Sequence, residues 1–416
     1  MTRIALRLIA ASVALALAAC SSPRGTSAPA LPSSVLSTTR SAQTDATPGE
    51  SATGLPGESA TGLPGESATG LPGESATGLP GATYACTLSQ QPGSASCTIA
   101  INVNVQPQSD PNTPAASIPG WHPADLQSAY ALPSTRPGQL VAIVDAYDNP
   151  NAEADLGVYR AAFGLPSCTT ANGCFRKVNE RGSSSQLPAA NVGWGEEIAL
   201  DLDMVSAACP NCSILLVETD SASLDDLGTG VDIAVALGAR AVSNSYYAPE
   251  WSTERNEDAH YRHPGVPITA SSGDTGAPSY PAASSSVVAV GGTTLSHNGA
   301  WNDVPWKYAG RGCSAYGARP AWQPDAGCSG KRATVDFSVV ADPQTGVAMF
   351  DAEAGGWLVA GGTSVGAPLV AAAYALAGNG GSAALAYAHP TSFRDVPAGG
   401  FDLNVGLGAL QGVGGL

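Results

Sequence analysis

The run Gln139-Leu140-Val141-Ala142-Ile143-Val144 is the stretch of sequence that decides the fold. It is apolar along almost its whole length, so it predicts a β-strand that is covered on both faces of its sheet. Helical periodicity follows at 151–163 and again at 224–237. Strands that alternate with helices in this way predict an α/β fold with a mostly parallel central sheet and helices on both faces. The other predicted strands of this sheet are 213–217, 241–245, 266–270 and 287–290.

Length and charge limit the classes of protein that the chain can represent. Its 416 residues, 44% hydrophobic and 12% charged, suffice for one large domain with appendages. Acidic residues outnumber basic ones by 34 to 18, which gives a formal net charge of −16. A surface of that sign repels polyanions, so we expect no nucleic-acid partner. The acidity itself has two open explanations, solubility and adaptation to an acidic medium.

The N-terminus has the pattern of an export signal. Arg3 and Arg7 flank the start of the apolar run 8–17, which is too short to span a bilayer. The run ends in Leu17-Ala18-Ala19-Cys20, which resembles the lipobox of bacterial lipoproteins. We therefore predict a lipoprotein signal peptide over 1–20, and an exported protein held to the bacterial cell envelope or cell surface only by a lipid on Cys20. The alternative is an ordinary cleavage site with an incidental cysteine.

A repetitive segment separates this signal from the main domain. The octapeptide Pro-Gly-Glu-Ser-Ala-Thr-Gly-Leu occurs four times in tandem over 48–79, with glycine and proline in every copy. Such a composition predicts a disordered tether, which we place at 21–82. A small hairpin closed by a disulfide is predicted at 83–110, with its second strand at 98–103. The main domain is predicted to occupy 111–416, and we expect a monomer.

The cysteines support export. Apart from Cys20, the eight remaining cysteines lie in close pairs, which in an exported chain indicates local disulfides. Zinc is the competing explanation, but only one pair has CxxC spacing and no histidine lies near any pair. The predicted disulfides are Cys86–Cys97, Cys168–Cys174, Cys209–Cys212 and Cys313–Cys328.

Ser364 is the candidate nucleophile. It lies in Gly361-Gly362-Thr363-Ser364-Val365-Gly366-Ala367-Pro368, between a predicted strand at 357–360 and an alanine-rich helix at 369–377. This corner lies near the positive end of the helix dipole, and its glycines allow a substrate to approach the backbone. The alternative is that Ser364 only caps the helix. A base close to Ser364 would favour the nucleophile over the helix cap.

A carboxyl pair is the candidate base, because none of the five histidines begins a helix after the first strand as in subtilisin-type enzymes. Asp145 ends that first strand without an evident partner. Glu197 and Asp201 are four residues apart in a predicted helix, so they project from one face and can share a proton. The alternative is a solvated acidic face, to which we assign Glu196 and Asp203.

A third segment, Ser271-Ser272-Gly273-Asp274, leads from a strand into a glycine-rich loop, where an aspartate is otherwise a turn-former. Together, and in this order, the three segments resemble the sedolisin (serine-carboxyl peptidase) family, which has a subtilisin-like fold. The resemblance covers roughly 120–410. It rests on Glu197–Asp201, Ser272–Asp274, Tyr280–Ala282, Ala289–Thr293 and Gly362–Pro368.

The resemblance implies a serine-type endopeptidase acting on protein or peptide substrates. Ser364 would be the nucleophile, Glu197 the general base, and Asp201 the residue that orients Glu197. Asp274 would line the oxyanion hole, and it must be protonated to donate a hydrogen bond. A glutamate base ionises near pH 4.3 when unperturbed, so activity is expected to be favoured at acidic pH.

The resemblance also implies a calcium site near the C-terminus. Its ligands would be the carboxylates of Asp395 and Asp402 and the carbonyls of Val396 and Gly400. The intervening loop is nearly absent, whereas calcium takes six to eight oxygens, so turn capping by the two aspartates stays open as the alternative. No other cofactor is expected.

The chain departs from the family in one respect. Members of the family carry a folded pro-segment, whereas here the corresponding space holds the tether and the hairpin.

Two other functions remain open for the same fold. The chain could be a catalytically silent surface lipoprotein that binds peptides or another partner. An esterase that uses the same serine is a third possibility.

Overall fold

A computed structural model describes residues 78–133, 138–396 and 400–416, so Cys20, the signal peptide and most of the predicted tether lie outside the described residues. No helix in the described ranges is both long and apolar enough to cross a membrane. The α-helices are α1 Pro123–Ala129, α2 Ala152–Ala162, α3 Val192–Ala208, α4 Leu224–Ala236, α5 Gly366–Ala377 and α6 Ala383–Ala388. Short 3-10 helices lie at Ala115–Ser117, Glu254–Ala259, Pro343–Thr345, Thr363–Val365 and Pro390–Ser392.

The strands form one large sheet and three smaller ones. The first strands are β1 Ala82–Tyr84, β2 Ser96–Cys97, β3 Ala100–Asn102, β4 Leu140–Ala146, β5 Phe175–Asn179, β6 Ser213–Thr219, β7 Ala241–Asn244, β8 Tyr246–Pro249, β9 Ile268–Ser271 and β10 Ser279–Tyr280. The later strands are β11 Val288–His297, β12 Trp301–Pro305, β13 Cys313–Ala318, β14 Lys331–Ala333, β15 Phe337–Val340, β16 Val347–Asp351, β17 Gly356–Gly361, β18 Phe393–Arg394 and β19 Ala409–Leu410.

The central sheet has the strand order β18-β19-β15-β11-β9-β7-β4-β6-β5, with β12 added beside β11. The strands from β19 to β5 are parallel to their neighbours, and β12 and β18 are antiparallel. Ile214–Thr219 of β6 and Val141–Ala146 of β4 are buried without interruption, so both faces of the sheet are covered. The predicted α/β class with a mostly parallel sheet is confirmed.

The strand order predicts a crevice beyond the carboxyl end of β4. The chain runs from β4 to β5 and β6 on one side, and then to β7, β9 and β11 on the other side. In parallel α/β sheets, ligands bind where the strand order reverses in this way, beyond the carboxyl ends of the strands. Helix α4 packs against β4 and β6, while α3 and α5 pack against each other.

Helix α3 is surrounded by protein. Asn191 caps its first turn by accepting a hydrogen bond from the Trp194 amide at 3.1 Å, and the helix packs against α1, α2 and α5. The assignment of Asp203 to a solvated face is therefore wrong: Asp203 is buried and its carboxylate accepts the Phe350 amide at 2.9 Å. Glu196 is half-buried.

The N-terminal hairpin is present and is joined to the main domain. Strand β1 pairs with β3 in antiparallel fashion, and β3 continues the pairing to β17, so the hairpin is part of a four-stranded sheet. Strand β2 pairs instead with β8. Leu79, which lies within the segment predicted as a tether, is buried in one cluster with Trp306 and Ala341.

All four predicted disulfides are confirmed. Cys86–Cys97, Cys168–Cys174, Cys209–Cys212 and Cys313–Cys328 are bonded, each within one local segment of the chain.

Part of the acidity of the chain lies inside the protein. Burial raises the pKa of Asp145 to about 8 and that of Glu218 to about 9, although Lys177 lowers the Glu218 pKa. Burial also raises the pKa of Asp203 well above its ordinary value. These carboxyls keep their protons in the folded state at pH values where the unfolded chain has lost them.

We therefore expect the protein to be more stable in acid. Below about pH 4 both states are protonated and stability is complete, and it is lost as the pH rises towards the folded pKa values of about 8 and 9. Since one pKa unit corresponds to about 1.4 kcal/mol, the Tm should fall by about 5 °C or more between pH 4 and pH 8. Thermal unfolding followed by circular dichroism measures this change.

Glu218→Gln supplies the control, because the amide fills the same space without titrating. Between pH 4 and pH 8, the Tm of this variant should fall less than the Tm of the parent protein. A Tm that rises from pH 4 to pH 8 would contradict the assignment of buried, protonated carboxyls.

Candidate active site

Ser364 lies at the strand-to-helix corner that the sequence predicts. Strand β17 ends at Gly361, Gly362 turns with a φ of 94°, and Ser364 follows in the 3-10 turn that leads into α5. A positive φ of this size favours glycine, since a Cβ would be strained there. Helix α5 begins at Gly366, three residues before the predicted start, so Ser364 lies close to its positive end.

Glu197 and Asp201 both lie inside the protein at the crevice. The Ser245 hydroxyl, just beyond β7, donates to both oxygens of Asp201 at 2.8 Å. Glu197 Oε2 accepts the backbone amides of Thr98 at 2.8 Å and of Ile99 at 2.9 Å. The nearby Ser364 hydroxyl lowers the Glu197 pKa, although Glu197 Oε1 is buried without a hydrogen-bond partner among the described residues.

Asp274 faces the Ser364 turn from the other side. Its Oδ1 accepts the Thr363 amide at 2.9 Å and the Thr363 hydroxyl at 2.8 Å. Its Oδ2 is buried without a hydrogen-bond partner. A Cβ built on Gly362 would lie 2.7 Å from Asp274 Oδ2, so the glycine leaves open the space in front of this oxygen. Burial raises the Asp274 pKa to about 7.

Asp145 is a buried neighbour that sequence reasoning left without a partner. It is the second-last residue of β4, and neither of its carboxylate oxygens has a hydrogen-bond partner among the described residues. Burial is the main cause that raises the pKa values of Glu197 and Asp201, and the charge of Asp145 is the second. The three carboxyls therefore titrate as one cluster.

The hydrogen bonds decide where the first negative charge of this cluster settles. Two backbone amides and the Ser364 hydroxyl stabilise the ionised form of Glu197. Asp145 has no such donor among the described residues, so hydrogen bonds give its ionised form no support. Glu197 can thus carry a negative charge while the cluster of three carboxyls still holds protons.

No histidine hydrogen-bonds to Ser364 in the part of the chain that the structure describes. His260 and His263 both contact Asp232, at 2.7 and 3.0 Å. Ser364 Oγ lies 2.5 Å from the Thr98 hydroxyl, and Glu197 is the carboxyl whose pKa the Ser364 hydroxyl lowers.

Residues of the N-terminal hairpin complete the site, and sequence reasoning did not find them there. The Thr98 hydroxyl lies 2.5 Å from Ser364 Oγ, and the Tyr84 hydroxyl donates to the main-chain carbonyl of Asp274 at 2.8 Å. Glu197, Asp201, Asp274 and Ser364 are at most 1% exposed. No sequence signal could have indicated this arrangement, because it joins residues that lie 99, 190 and 266 positions apart in the chain.

The predicted calcium ligands lie in a separate loop near the C-terminus. Asp395 Oδ1 accepts the Gly400 amide at 3.1 Å, and Asp402 Oδ1 accepts the Val405 amide at 3.0 Å, as turn-capping aspartates do. Val396 is buried. Asp402 Oδ2 is buried without a partner, which leaves one oxygen suited to a cation. Residues 397–399 of this loop lie outside the described residues.

Comparison with known proteins supports the same fold. No protein-family model matches the chain. It is 28% identical over 334 residues to kumamolisin from Bacillus sp. (strain MN-32), which covers 70% of this chain and 58% of kumamolisin. The chain thus spans less than two thirds of the length of this curated relative.

Among solved structures, the chain is similar to Pseudomonas sedolisin, a serine-carboxyl proteinase that was complexed with two molecules of pseudo-iodotyrostatin. The TM-score is 0.60 at 24% identity, over 71% of this chain and 96% of sedolisin. The chain therefore resembles the sedolisins in sequence and has their subtilisin-like fold.

Proposed function

We propose that this protein is a serine-carboxyl endopeptidase that hydrolyses peptide bonds with Ser364, Glu197 and Asp201. The observation that carries the proposal is the burial of Ser364 and Glu197 around one residue, Thr98, whose amide donates to Glu197 Oε2 at 2.8 Å and whose hydroxyl lies 2.5 Å from Ser364 Oγ. The similarity to kumamolisin and to sedolisin supports it. A surface protein that only binds peptides has no need of buried carboxyls whose mutual repulsion costs stability.

The proposed reaction begins with the attack of Ser364 Oγ on the carbonyl carbon of the peptide bond. Glu197 accepts the serine proton and then donates it to the leaving amine. Asp201, held by Ser245, keeps the Glu197 carboxyl in position. Water then hydrolyses the acyl-enzyme by the same proton transfers in reverse order.

Asp274 stabilises the negative charge that develops on the carbonyl oxygen. Its unpartnered Oδ2 is buried in front of Gly362, and when protonated it donates a hydrogen bond into that space. The raised pKa of about 7 keeps that proton in acid. The raised pKa of Glu197 moves the pH below which the base is protonated, and activity is lost, to a higher value. The optimum pH for hydrolysis is therefore expected to be mildly acidic.

The substrates are proposed to be proteins or peptides in extended form. Strand β8 begins directly after Ser245 and is paired with β2 and β10, so an extended substrate would take the place of β2 to pair with it through main-chain hydrogen bonds. We further propose export and lipid anchoring through Cys20. The four disulfides support an oxidising compartment outside the cytoplasm.

Replacement of the nucleophile or the base tests the proposed reaction. Ser364→Ala and Glu197→Gln should each lower the hydrolysis of denatured protein at least about 1,000-fold, because each removes a group that takes part in the chemical step. Glu196→Gln is the matched control on the same helix, and its activity should stay within about threefold of the parent. Peptide release, measured with a fluorescently labelled protein, gives the rates.

The outcomes separate the alternatives. Equal rates for the parent protein and Ser364→Ala would contradict the peptidase and favour a silent binding protein. Hydrolysis of ester substrates alone would favour an esterase.

The pH profile tests the role of Asp274. Activity should fall as the pH rises through the Asp274 pKa of about 7, because the ionised carboxylate repels the developing oxyanion. Asp274→Asn should be slower in acid, but its rate should no longer fall between pH 6 and pH 8, because the amide donor does not titrate. A parent rate that is constant from pH 4 to pH 8 would exclude the assigned role.

Calcium binding near the C-terminus is proposed as well, supported by the unpartnered Asp402 Oδ2. Bound calcium stabilises a protein in proportion to the logarithm of its concentration. Millimolar calcium should therefore raise the Tm of the parent protein by a few degrees and leave that of Asp402→Asn unchanged. An equal response of both proteins to calcium and to magnesium would contradict a site at this loop.

A further inference from the structure

One histidine and two acidic side chains converge beside α4, outside the proposed catalytic set. Asp225 lies in the first turn of this helix, and Glu257 and His260 come from the 3-10 helix Glu254–Ala259 and the residue directly after it. One carboxylate oxygen or imidazole nitrogen of each side chain lies within 4.8 Å of those of the other two. Asp225 is exposed, whereas Glu257 and His260 are half-buried.

A glycine of α4 gives the His260 ring its place. A Cβ built on Gly228 would lie 2.7 Å from His260 Cγ and 2.8 Å from its Cδ2, so the ring lies directly against the helix backbone. Asp225, Gly228 and Asp232 are spaced three and four residues apart, which places them along one face of α4. The imidazole therefore lies between two carboxylates of the same helix face.

Asp232 determines which nitrogen of this imidazole is available. Its Oδ2 contacts His260 Nδ1 at 2.7 Å, and its Oδ1 contacts His263 Nε2 at 3.0 Å. A neutral imidazole that donates its Nδ1 proton to a carboxylate has its lone pair on Nε2. Histidines that bind metal ions are oriented in this way by a carboxylate on the other ring nitrogen. Nε2 of His260 is therefore free to bind a metal ion.

The two carboxylates that face this histidine lack a cationic partner. In the part of the chain that the structure describes, neither Asp225 nor Glu257 lies within ion-pair distance of a lysine or an arginine. Carboxylates that converge in this way repel each other, and a cation between them removes the repulsion. Zinc is bound in proteins by imidazole nitrogens and carboxylate oxygens, and three protein ligands suffice when water fills the fourth position.

We propose that Asp225, Glu257 and His260 bind one zinc ion, with Asp232 as the positioning residue for His260. Zinc takes such ligands at about 2.0–2.2 Å, so the ligand atoms of a tetrahedral site lie about 3.4 Å apart. The three atoms, which lie within 4.8 Å of one another, reach this separation by rotation of the exposed Asp225 side chain.

Zinc at this place has a structural role, because it links two parts of the fold that otherwise only pack together. Helix α4 covers β4 and β6, whereas the 3-10 helix Glu254–Ala259 lies in the connection from β8 to β9. In that connection Asp258 accepts a hydrogen bond from the Tyr280 hydroxyl at 3.3 Å, and the Tyr261 hydroxyl lies 3.3 Å from that of Tyr246 in β8. The ion would thus fasten the connection that supports β8 to the outer helix layer.

The experiment uses the purified full chain, freed of metal by a chelator and kept at pH 7, where unperturbed imidazoles are largely neutral. Isothermal titration calorimetry with zinc chloride should show one ion bound per chain. Zinc at about 100 times its dissociation constant should raise the Tm by about 5 °C. Magnesium at the same concentration should not produce this rise, because it prefers oxygen ligands.

The variants remove one ligand or the positioning residue. Glu257→Gln and Asp225→Asn should each weaken zinc binding at least about 100-fold, and either one keeps the test valid if the other fails to fold. Asp232→Asn should weaken it about 10- to 100-fold, because it acts through the orientation of His260. The metal-free Tm of each variant should stay within about 2 °C of the parent, so that the loss is one of zinc affinity and not of folding.

Two controls locate the ion. Glu353→Gln changes an exposed glutamate outside this cluster and should bind zinc like the parent protein. Asp402→Asn changes the proposed calcium loop and should keep the full zinc response. Loss of the response in Asp402→Asn would place the ion at the C-terminal loop and overturn the site on α4.

Other results would also overturn this site. A parent chain that binds no zinc would do so, as would equal zinc affinity in the parent, Glu257→Gln and Asp225→Asn. A rise in Tm with magnesium equal to that with zinc would exclude the histidine ligand. None of these outcomes depends on the hydrolysis of peptides by Ser364, so the zinc site and the proposed function can fail separately.

Discussion

The repulsion between three buried carboxyls governs the arrangement of this protein. Asp145, Glu197 and Asp201 lie at one end of the sheet, out of contact with water, where a negative charge on one group opposes a charge on the next. Such a cluster persists only with fewer charges than carboxyls. The protons that remain are then available for chemistry, and the neighbouring hydrogen-bond donors determine which oxygen gives up its proton first.

The topology of the sheet explains why these groups meet. Asp145 is the second-last residue of β4, Ser245 follows β7, and Asp274 follows β9, so the carboxyl ends of three adjacent parallel strands supply one side of the site. Helices α3 and α5 pack together and bring Glu197 and Ser364 to the same edge. Each of these side chains thus lies on a different element, and the strand order together with the packing of α3 against α5 brings them to one place.

Local patterns in the sequence carried most of this information. The four-residue spacing of Glu197 and Asp201 and the glycine-rich corner at Ser364 depend only on neighbouring residues, and the structure brings these groups together. The burial of Asp203 was missed, because it depends on the surroundings of α3 and not on the periodicity of its sequence. The position of Thr98 was missed for the same kind of reason, since its partners lie at 197 and 364 and only the folded chain joins them.

The burial of α3 on all sides has a mechanical consequence. From Glu197 to its end at Ala208, every residue of this helix is buried among the sheet and three other helices. A helix packed in this way cannot slide or rotate without opening the core. When Glu197 or Asp201 gains or loses a proton, α3 therefore cannot move to reduce the resulting change in electrostatic repulsion. The segment above it offers no easier relief, because residues 96–100 are buried as well and Cys97 is fixed by its disulfide to Cys86.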